Sequence, residues 1–216
     1  PSGDLYAGSL VAELRSREPG VEVFGMGGPR MAAAGGDVVV DFAPLSVTGL
    51  TEALRVVPRA REALRQLEDE ARTRRPDVFV AVDFPDFNFR LLPRMRRLGI
   101  PIVYYISPQL WAWRSGRMRV MQRLVDKVLV IFPFEEAIYR DAGVPVEFVG
   151  HPLLEELDEP QGRAEFIKRY ELDAERPVLG LFPGSRRQEI ERLFPVMIGA
   201  ARRLHASHGV QTVVGV

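Results

Sequence analysis

The sequence predicts an α/β protein of doubly wound, parallel-sheet type, and three observations carry that expectation. Short runs rich in Val, Ile and aromatics recur through the first 150 residues: VEVFGM (21–26), DVVVDF (37–42), DVFVAV (77–82), PIVYYI (101–106), DKVLVIF (126–132) and VEFVG (146–150). They are near-continuously apolar rather than alternating, as strands covered on both faces must be. Amphipathic segments of helical length separate them, at 4–17, 29–35, 50–74, 87–98, 115–124 and 134–142. Strands and helices alternating in this way build a parallel sheet.

Each element has a local reason. Ser2, Gly3 and Asp4 precede the first apolar stripe and read as a helix cap. Gly27 and Gly28 follow the first strand, and Pro29 suits a first helical position; the glycines admit either a close backbone approach or a tight turn. In LSVTGLTEALRVVPRAREALRQL (45–67), Leu50, Leu54, Val57 and Leu64 share one helical face, with a kink or break expected at Pro58. That face reads as core, while Arg55 and Arg59 off the stripe also suit a helix lying on a membrane surface. The strand at 77–82 runs into Asp83 and Asp86, and Asp86 reads as the cap of the helix at 87–98. The strand at 101–106 runs into ISPQLWAWR (106–114), which holds both tryptophans, Trp111 and Trp113.

Beyond the last of these strands, HPLLEELDEPQGR (151–163) is acidic and polar, and the alternation lapses. It resumes with a helix near 161–170, the strand VLGLF (178–182), a helix at 187–207 and the strand TVVGV (212–216). The expected organisation is a first domain over 1–150, a linker over 151–163, and the opening of a second α/β domain over 164–216. So short a second segment cannot bury a core of its own, and the chain opens at PSGD without Met. A piece of a longer protein is expected.

Composition narrows the function classes. The 216 residues are 46% hydrophobic and 27% charged, as in ordinary globular proteins. A formal net charge of zero implies no general attraction to nucleic acid. With no cysteine, disulfides and thiolate metal sites are excluded. No apolar run approaches the roughly 20 residues of a membrane span, and no signal peptide is visible. Charge is unevenly spread: from Phe87 to Val125 there are eight arginines and no Asp or Glu. These are either solvated helix faces or an anion-attracting rim for phosphate or acidic lipid headgroups.

Ligands of open α/β sheets bind outside the carboxyl ends of the strands. Asp83 and Asp86 beside the tryptophan loop therefore mark a mouth suited to a substrate with polar and apolar parts. Asp83 ends an apolar strand, where desolvation would make a carboxylate more basic and fit it to take a proton from a hydroxyl. In FPGSRRQEIERLF (182–194), Gly184 and Ser185 lie at a strand-to-helix turn, where free N–H groups favour anions. Arg186 adds a fork-shaped donor. Ser185 with Gln188 also reads as a plain capping box, and the GK[ST] ending of a Walker A loop is missing. Of the three histidines only His151 directly follows a strand end. No cluster offers four metal ligands, so no metal site is expected; no cofactor is expected either.

Together these motifs resemble the lipid-A-disaccharide synthase family, bacterial glycosyltransferases with two Rossmann-like domains (GT-B type). The matching residues are SGD (2–4), GPRM (28–31), VTGLTE (47–52), PDVFVAVDFPDFN (76–88), YISPQLWAWR (105–114), FPFE (132–135), FVGHP (148–152) and FPGSR (182–186), in family order. The resemblance implies an inverting, metal-independent transfer of diacylated glucosamine from its UDP donor to diacylglucosamine 1-phosphate, forming lipid A disaccharide 1-phosphate and UDP. It implies Asp83 as the catalytic base, and Arg186 with Gly184 and Ser185 as the group holding UDP. Ser2, Gly3, Asp4, Asp86, Asn88, Trp111, Trp113, Arg114 and His151 become candidates for the acceptor side or its loop. It further implies a cytoplasmic position at the inner face of the bacterial inner membrane and a homodimer of the longer protein. The family's chain carries a strand and a Gly-Glu pair before SGD, and a further C-terminal portion, so these 216 residues alone are expected to be inactive. A UDP-sugar epimerase on the same scaffold, and a non-catalytic nucleotide-sugar or lipid-binding module, are the competing classes.

Overall fold

A computed structural model describes residues 2–45, 50–110, 115–154, 162–185 and 187–215. The chain divides into two compact units, Pro1–Glu156 and Leu157–Val216. The first runs α1 (Ser2–Arg17), β1 (Phe24–Gly27), α2 (Pro29–Ala33), β2 (Asp37–Asp41), α3 (Leu50–Arg74), β3 (Phe79–Val82), α4 (Pro85–Arg97), β4 (Ile102–Tyr105), α5 (Met118–Leu124), β5 (Lys127–Val130), α6 (Pro133–Asp141) and β6 (Val146–Phe148). The second holds α7 (Arg163–Arg169), β7 (Val178–Leu181), α8 (Arg187–His208) and β8 (Gln211–Val214). Among the described residues every strand pairing is parallel. The α/β, parallel-sheet class read from the sequence is the observed one.

In the first unit β3, β4, β5 and β6 form one sheet in chain order, and β1 pairs with β2 in another. Ala81, Ile102, Tyr104, Val128 and Val130 on these strands are fully enclosed. Helices α3 and α4 cover them with Ala63, Leu64, Leu67 and Ala71 and with Phe87, Leu91, Leu92 and Met95. Each large side chain buried in this way contributes about 1.5–3 kcal/mol. Among the described residues β1 and β3 are each paired along one edge only. A cavity of about 360 Å³ is walled by β1, β3 and the helices α1, α3 and α4.

Two local expectations are corrected. Helix α3 is one continuous element from Leu50 to Arg74 with Pro58 inside it, not two. Proline inside a helix costs about 3 kcal/mol or more, and the packed face from Ala63 to Ala71 holds the helix together. Val57 is in phase with that face yet 39% exposed. Periodicity decides which face is apolar, and neighbours decide how far along it burial extends.

In the arginine-rich stretch part of the charge is paired. Arg94 pairs with Glu68 at 2.6 Å, Arg96 with Asp126 at 2.9 Å and Arg117 with Asp86 at 2.6 Å. The counter-charges come from α3, from the loop before β5 and from the first turn of α4, outside the sequence window. Such pairs contribute about 0–1 kcal/mol each and offset the charge of those arginines. Arg90, Arg119 and Arg123 stay exposed with no partner among the described residues.

Asp126 makes the most consequential of these contacts. Its carboxylate accepts the Ile102 N–H at 2.7 Å and the Arg96 guanidinium. Burial by itself raises its pKa, but the Ile102 N–H and Arg96 outweigh that and leave it below its ordinary 3.8. A depressed carboxylate contributes stability that is present above its ordinary value and is lost as pH falls through the folded one. Asp126→Asn should therefore shrink the loss of stability on acidification, read as the difference in urea midpoint between neutral pH and about pH 3. Equal losses in wild type and variant would refute this.

Candidate active site

Because β3 to β6 are parallel, their carboxyl ends share one edge of the sheet. The residues just past them are Asp83, Ile106 and Ser107, Ile131 and Phe132, and Gly150 and His151. The first turn of α1 lies over this edge, with Leu5 and Tyr6 packed among Val82, Tyr105, Ile106, Ile131 and Phe132. Ser2, Gly3, Asp4, Asp83, Phe84 and Asn88 line the same cavity. Thus the structure brings together candidates nearly 90 residues apart in the chain.

Asp83 sits in a strained turn. It and Phe84 both adopt left-handed backbone, at φ 44° and 40°. For a side chain such as phenylalanine this costs about 1–2 kcal/mol, and strain of that kind persists only where its surroundings enforce it. Here the Asp83 N–H donates to the Tyr105 carbonyl at 3.1 Å. The Asp83 carbonyl accepts from the Tyr104 hydroxyl at 2.9 Å and from Asn88 Nδ2 at 2.7 Å. Phe84 stacks on Phe87, with ring centroids 5.6 Å apart. The main chain is fully engaged, whereas the half-buried Asp83 carboxylate has no hydrogen bond or ion pair among the described residues. A free carboxylate at a strand end can act as a general base.

Asp86 has a different role from the one expected. The N-cap of α4 is Phe84, Pro85 opens the helix, and Asp86 lies within its first turn. There it favours the positive end of the helix dipole and binds Arg117, which also lies 4.7 Å over the Phe89 ring. Asp4 departs further. It and Ser2 and Gly3 lie inside α1, not before it. The buried Asp4 carboxylate caps another helix: it accepts the N–H groups of Gly28 at 2.8 Å, Arg30 at 3.1 Å and Met31 at 3.2 Å, at the start of α2. Gly28 is needed for the close approach, because a Cβ there would collide with the Phe42 ring and meet the Asp4 carboxylate at 2.8 Å.

His151 is half-buried and tilts against Phe132 with centroids 5.6 Å apart. Its Nδ1 accepts the Leu153 N–H at 3.2 Å, which leaves Nε2 for another partner. Glu135, within FPFE, is enclosed and caps its own helix by accepting the Phe132 N–H at 3.3 Å. Tyr139, whose hydroxyl donates to the Pro108 carbonyl at 3.3 Å, is pushed up to about 12 by burial. Trp111, Trp113 and Arg114 lie outside the described residues. Among the described residues no group of three or more His, Asp or Glu is placed to share a metal ion.

In the second unit Gly184 has φ 103°, a conformation that favours glycine, at the turn between β7 and α8. Ser185 is exposed, and α8 begins at Arg187, one residue later than a Ser185 cap requires. Arg186 lies outside the described residues. Sequence reasoning missed Tyr104 entirely, because a tyrosine in an apolar strand reads as core and its hydroxyl's partner is 21 residues away.

A family model for lipid-A-disaccharide synthetase matches residues 1–215. The lipid-A-disaccharide synthase of Myxococcus xanthus is 48% identical over 214 residues, covering 99% of this chain and 56% of that protein. The same enzyme of Koribacter versatilis is 48% identical over 204 residues, covering 94% of this chain and 53% of that protein. The chain thus spans about half the length of the curated relatives it matches. Among solved structures, the S. aureus MnaA–UDP co-structure is similar at a TM-score of 0.61 and 13% identity, over 97% of this chain and 58% of that one. The UDP-GlcNAc 2-epimerase from Neisseria meningitidis bound to UDP-GlcNAc gives 0.56 at 12% identity, over 97% of this chain and 69% of that one. At such identities the likeness is one of fold, the GT-B type. By the match from residue 1 to residue 215 and the ordered motifs, this chain belongs to the lipid-A-disaccharide synthetase family.

Proposed function

We propose that this chain supplies the base-bearing part of a glycosyltransferase that joins UDP-diacylglucosamine to diacylglucosamine 1-phosphate. The activity is that of a polypeptide of the relatives' length. One observation carries the reading: among the described residues the Asp83 carboxylate has no partner at the carboxyl edge of the sheet, on a turn whose strain is held by the main chain. Asp83 takes the proton of the acceptor's 6-hydroxyl. The oxygen attacks the anomeric carbon of the donor from the face opposite the diphosphate, the bond from that carbon to UDP breaks, and its electron pair leaves with the diphosphate. Configuration at the anomeric carbon inverts. Arg186 and the N–H groups at Gly184 and Ser185 are suited to stabilise the departing charge.

In this reading residues 1–150 form the acceptor-side domain, 151–163 a linker and 164–216 the opening of the UDP-sugar domain. The exposed Arg90, Arg119 and Arg123 support contact with anionic lipid headgroups, and dimer formation belongs to the longer polypeptide.

The test is a transfer assay on a polypeptide of the relatives' length, following release of UDP and formation of the disaccharide. No product from these two substrates would sink the proposal. Arg186→Ala in the same assay should lower kcat/KM for the donor about tenfold or more, equivalent to about 1.4 kcal/mol, with the acceptor KM unchanged. A shift confined to the acceptor would reassign the residue.

A further inference from the structure

We infer that Tyr104 and Asn88 are positioning residues for the reaction, jointly holding the Asp83 carbonyl so that the turn presents the carboxylate to the acceptor hydroxyl. The inference rests on Asp83 being the base.

The two donors approach one oxygen from different layers of the fold. Tyr104 belongs to β4, and its hydroxyl reaches the Asp83 carbonyl at 2.9 Å. Asn88 belongs to α4, and its Nδ2 reaches the same carbonyl at 2.7 Å and the Val82 carbonyl at 3.3 Å. A carbonyl oxygen has two lone pairs, and here both are taken. The Asp83 N–H is meanwhile held by the Tyr105 carbonyl. With both main-chain groups fixed, two successive left-handed residues persist where neither is glycine.

Packing does not account for the hydroxyl. Tyr104 is fully enclosed, with its ring within the main core cluster. A phenylalanine would fill the same space without burying a polar atom. Among the described residues the hydroxyl donates to the main chain of Asp83, whose carboxylate has no partner there. Burial pushes the hydroxyl's pKa up against the opposing Asn88 side chain, with a smaller push from the Asp83 charge, so it stays a protonated donor. Asn88 is likewise buried, at 5% exposure. A base misplaced by about 1 Å loses up to about a hundredfold in rate, so anchorage of this kind acts on turnover and not on substrate binding.

The experiment uses a polypeptide of the relatives' length and measures kcat and both KM values for Tyr104→Phe, Asn88→Ala, the double variant and Asp83→Asn. Tyr104→Phe should lower kcat about tenfold with both KM values unchanged. The double variant should lose more than the product of the single effects, because each single variant keeps one donor on the carbonyl. The acid limb of kcat against pH should keep its position while its height falls, since the base is the same. Wild-type kcat in Tyr104→Phe and in the double variant, with Asp83→Asn inactive, would overturn the positioning role alone. Turnover surviving in Asp83→Asn would overturn the base itself. KM values rising together with the kcat losses would mark a merely structural role and refute the inference. Should Asn88→Ala fail to fold, the kcat-against-KM split in Tyr104→Phe decides.

Discussion

Asp83→Asn is expected to lower kcat for sugar transfer by about 10²–10⁴-fold, the usual contribution of a positioned general base, while leaving UDP binding intact. The amide is nearly isosteric with the carboxylate but carries no basic oxygen. The turn should survive, because the groups that hold it are the Asp83 main-chain N–H and carbonyl. Asn also tolerates left-handed backbone as well as Asp does. The assay follows disaccharide formation by a polypeptide of the relatives' length, with UDP affinity measured alongside. Transfer at the wild-type rate would remove the base assignment, whereas loss of both transfer and UDP affinity would show a damaged fold.

The second large effect is one of stability. Asp4→Ala is expected to destabilise the first unit by about 2–4 kcal/mol, since hydrogen bonds to a charged group and buried donors left unpaired each carry about 1–3 kcal/mol. The carboxylate that would be lost serves three N–H groups at the start of α2, and water has little access at 7% exposure. Asp4→Asn keeps one oxygen acceptor and should lose distinctly less. Urea unfolding of both variants checks this; a loss under about 0.5 kcal/mol for Asp4→Ala, the range of ordinary surface changes, would show that Asp4 is no cap. If Asp4 were instead a catalytic group, both variants would lose turnover without losing stability.

The fold was largely legible in the sequence. Strands read at 101–106 and 126–132 appear at Ile102–Tyr105 and Lys127–Val130, and the helix read at 50–74 appears over those residues. Continuous apolar runs and 3.6-residue stripes are local properties, so a short window contains them. Individual polar roles were less legible. Asp4 preceding an apolar stripe looks like the cap of its own helix, yet its partners lie 24 to 27 residues on. The stretch from Phe87 to Val125 looks like a basic surface until Glu68 and Asp126 are folded against it. Asp86 looks like a cap until the left-handed Phe84 moves the helix start back to Pro85.

The sequence by itself determined the parallel α/β class, the order of elements and membership of the lipid-A-disaccharide synthetase family, because all three reside in the linear pattern of apolar runs and motifs. Only the tertiary structure decided which carboxylate is committed to the scaffold and which has no partner among the described residues. Asp4 and Asp83 both stand at a helix opening in the sequence. Three N–H donors enclose the carboxylate of Asp4, whereas the contacts at Asp83 fall on its main chain and leave its side chain open at the sheet edge. The deciding hydrogen bonds join residues on separate elements, and the packing that brings those elements together is a property of the whole unit.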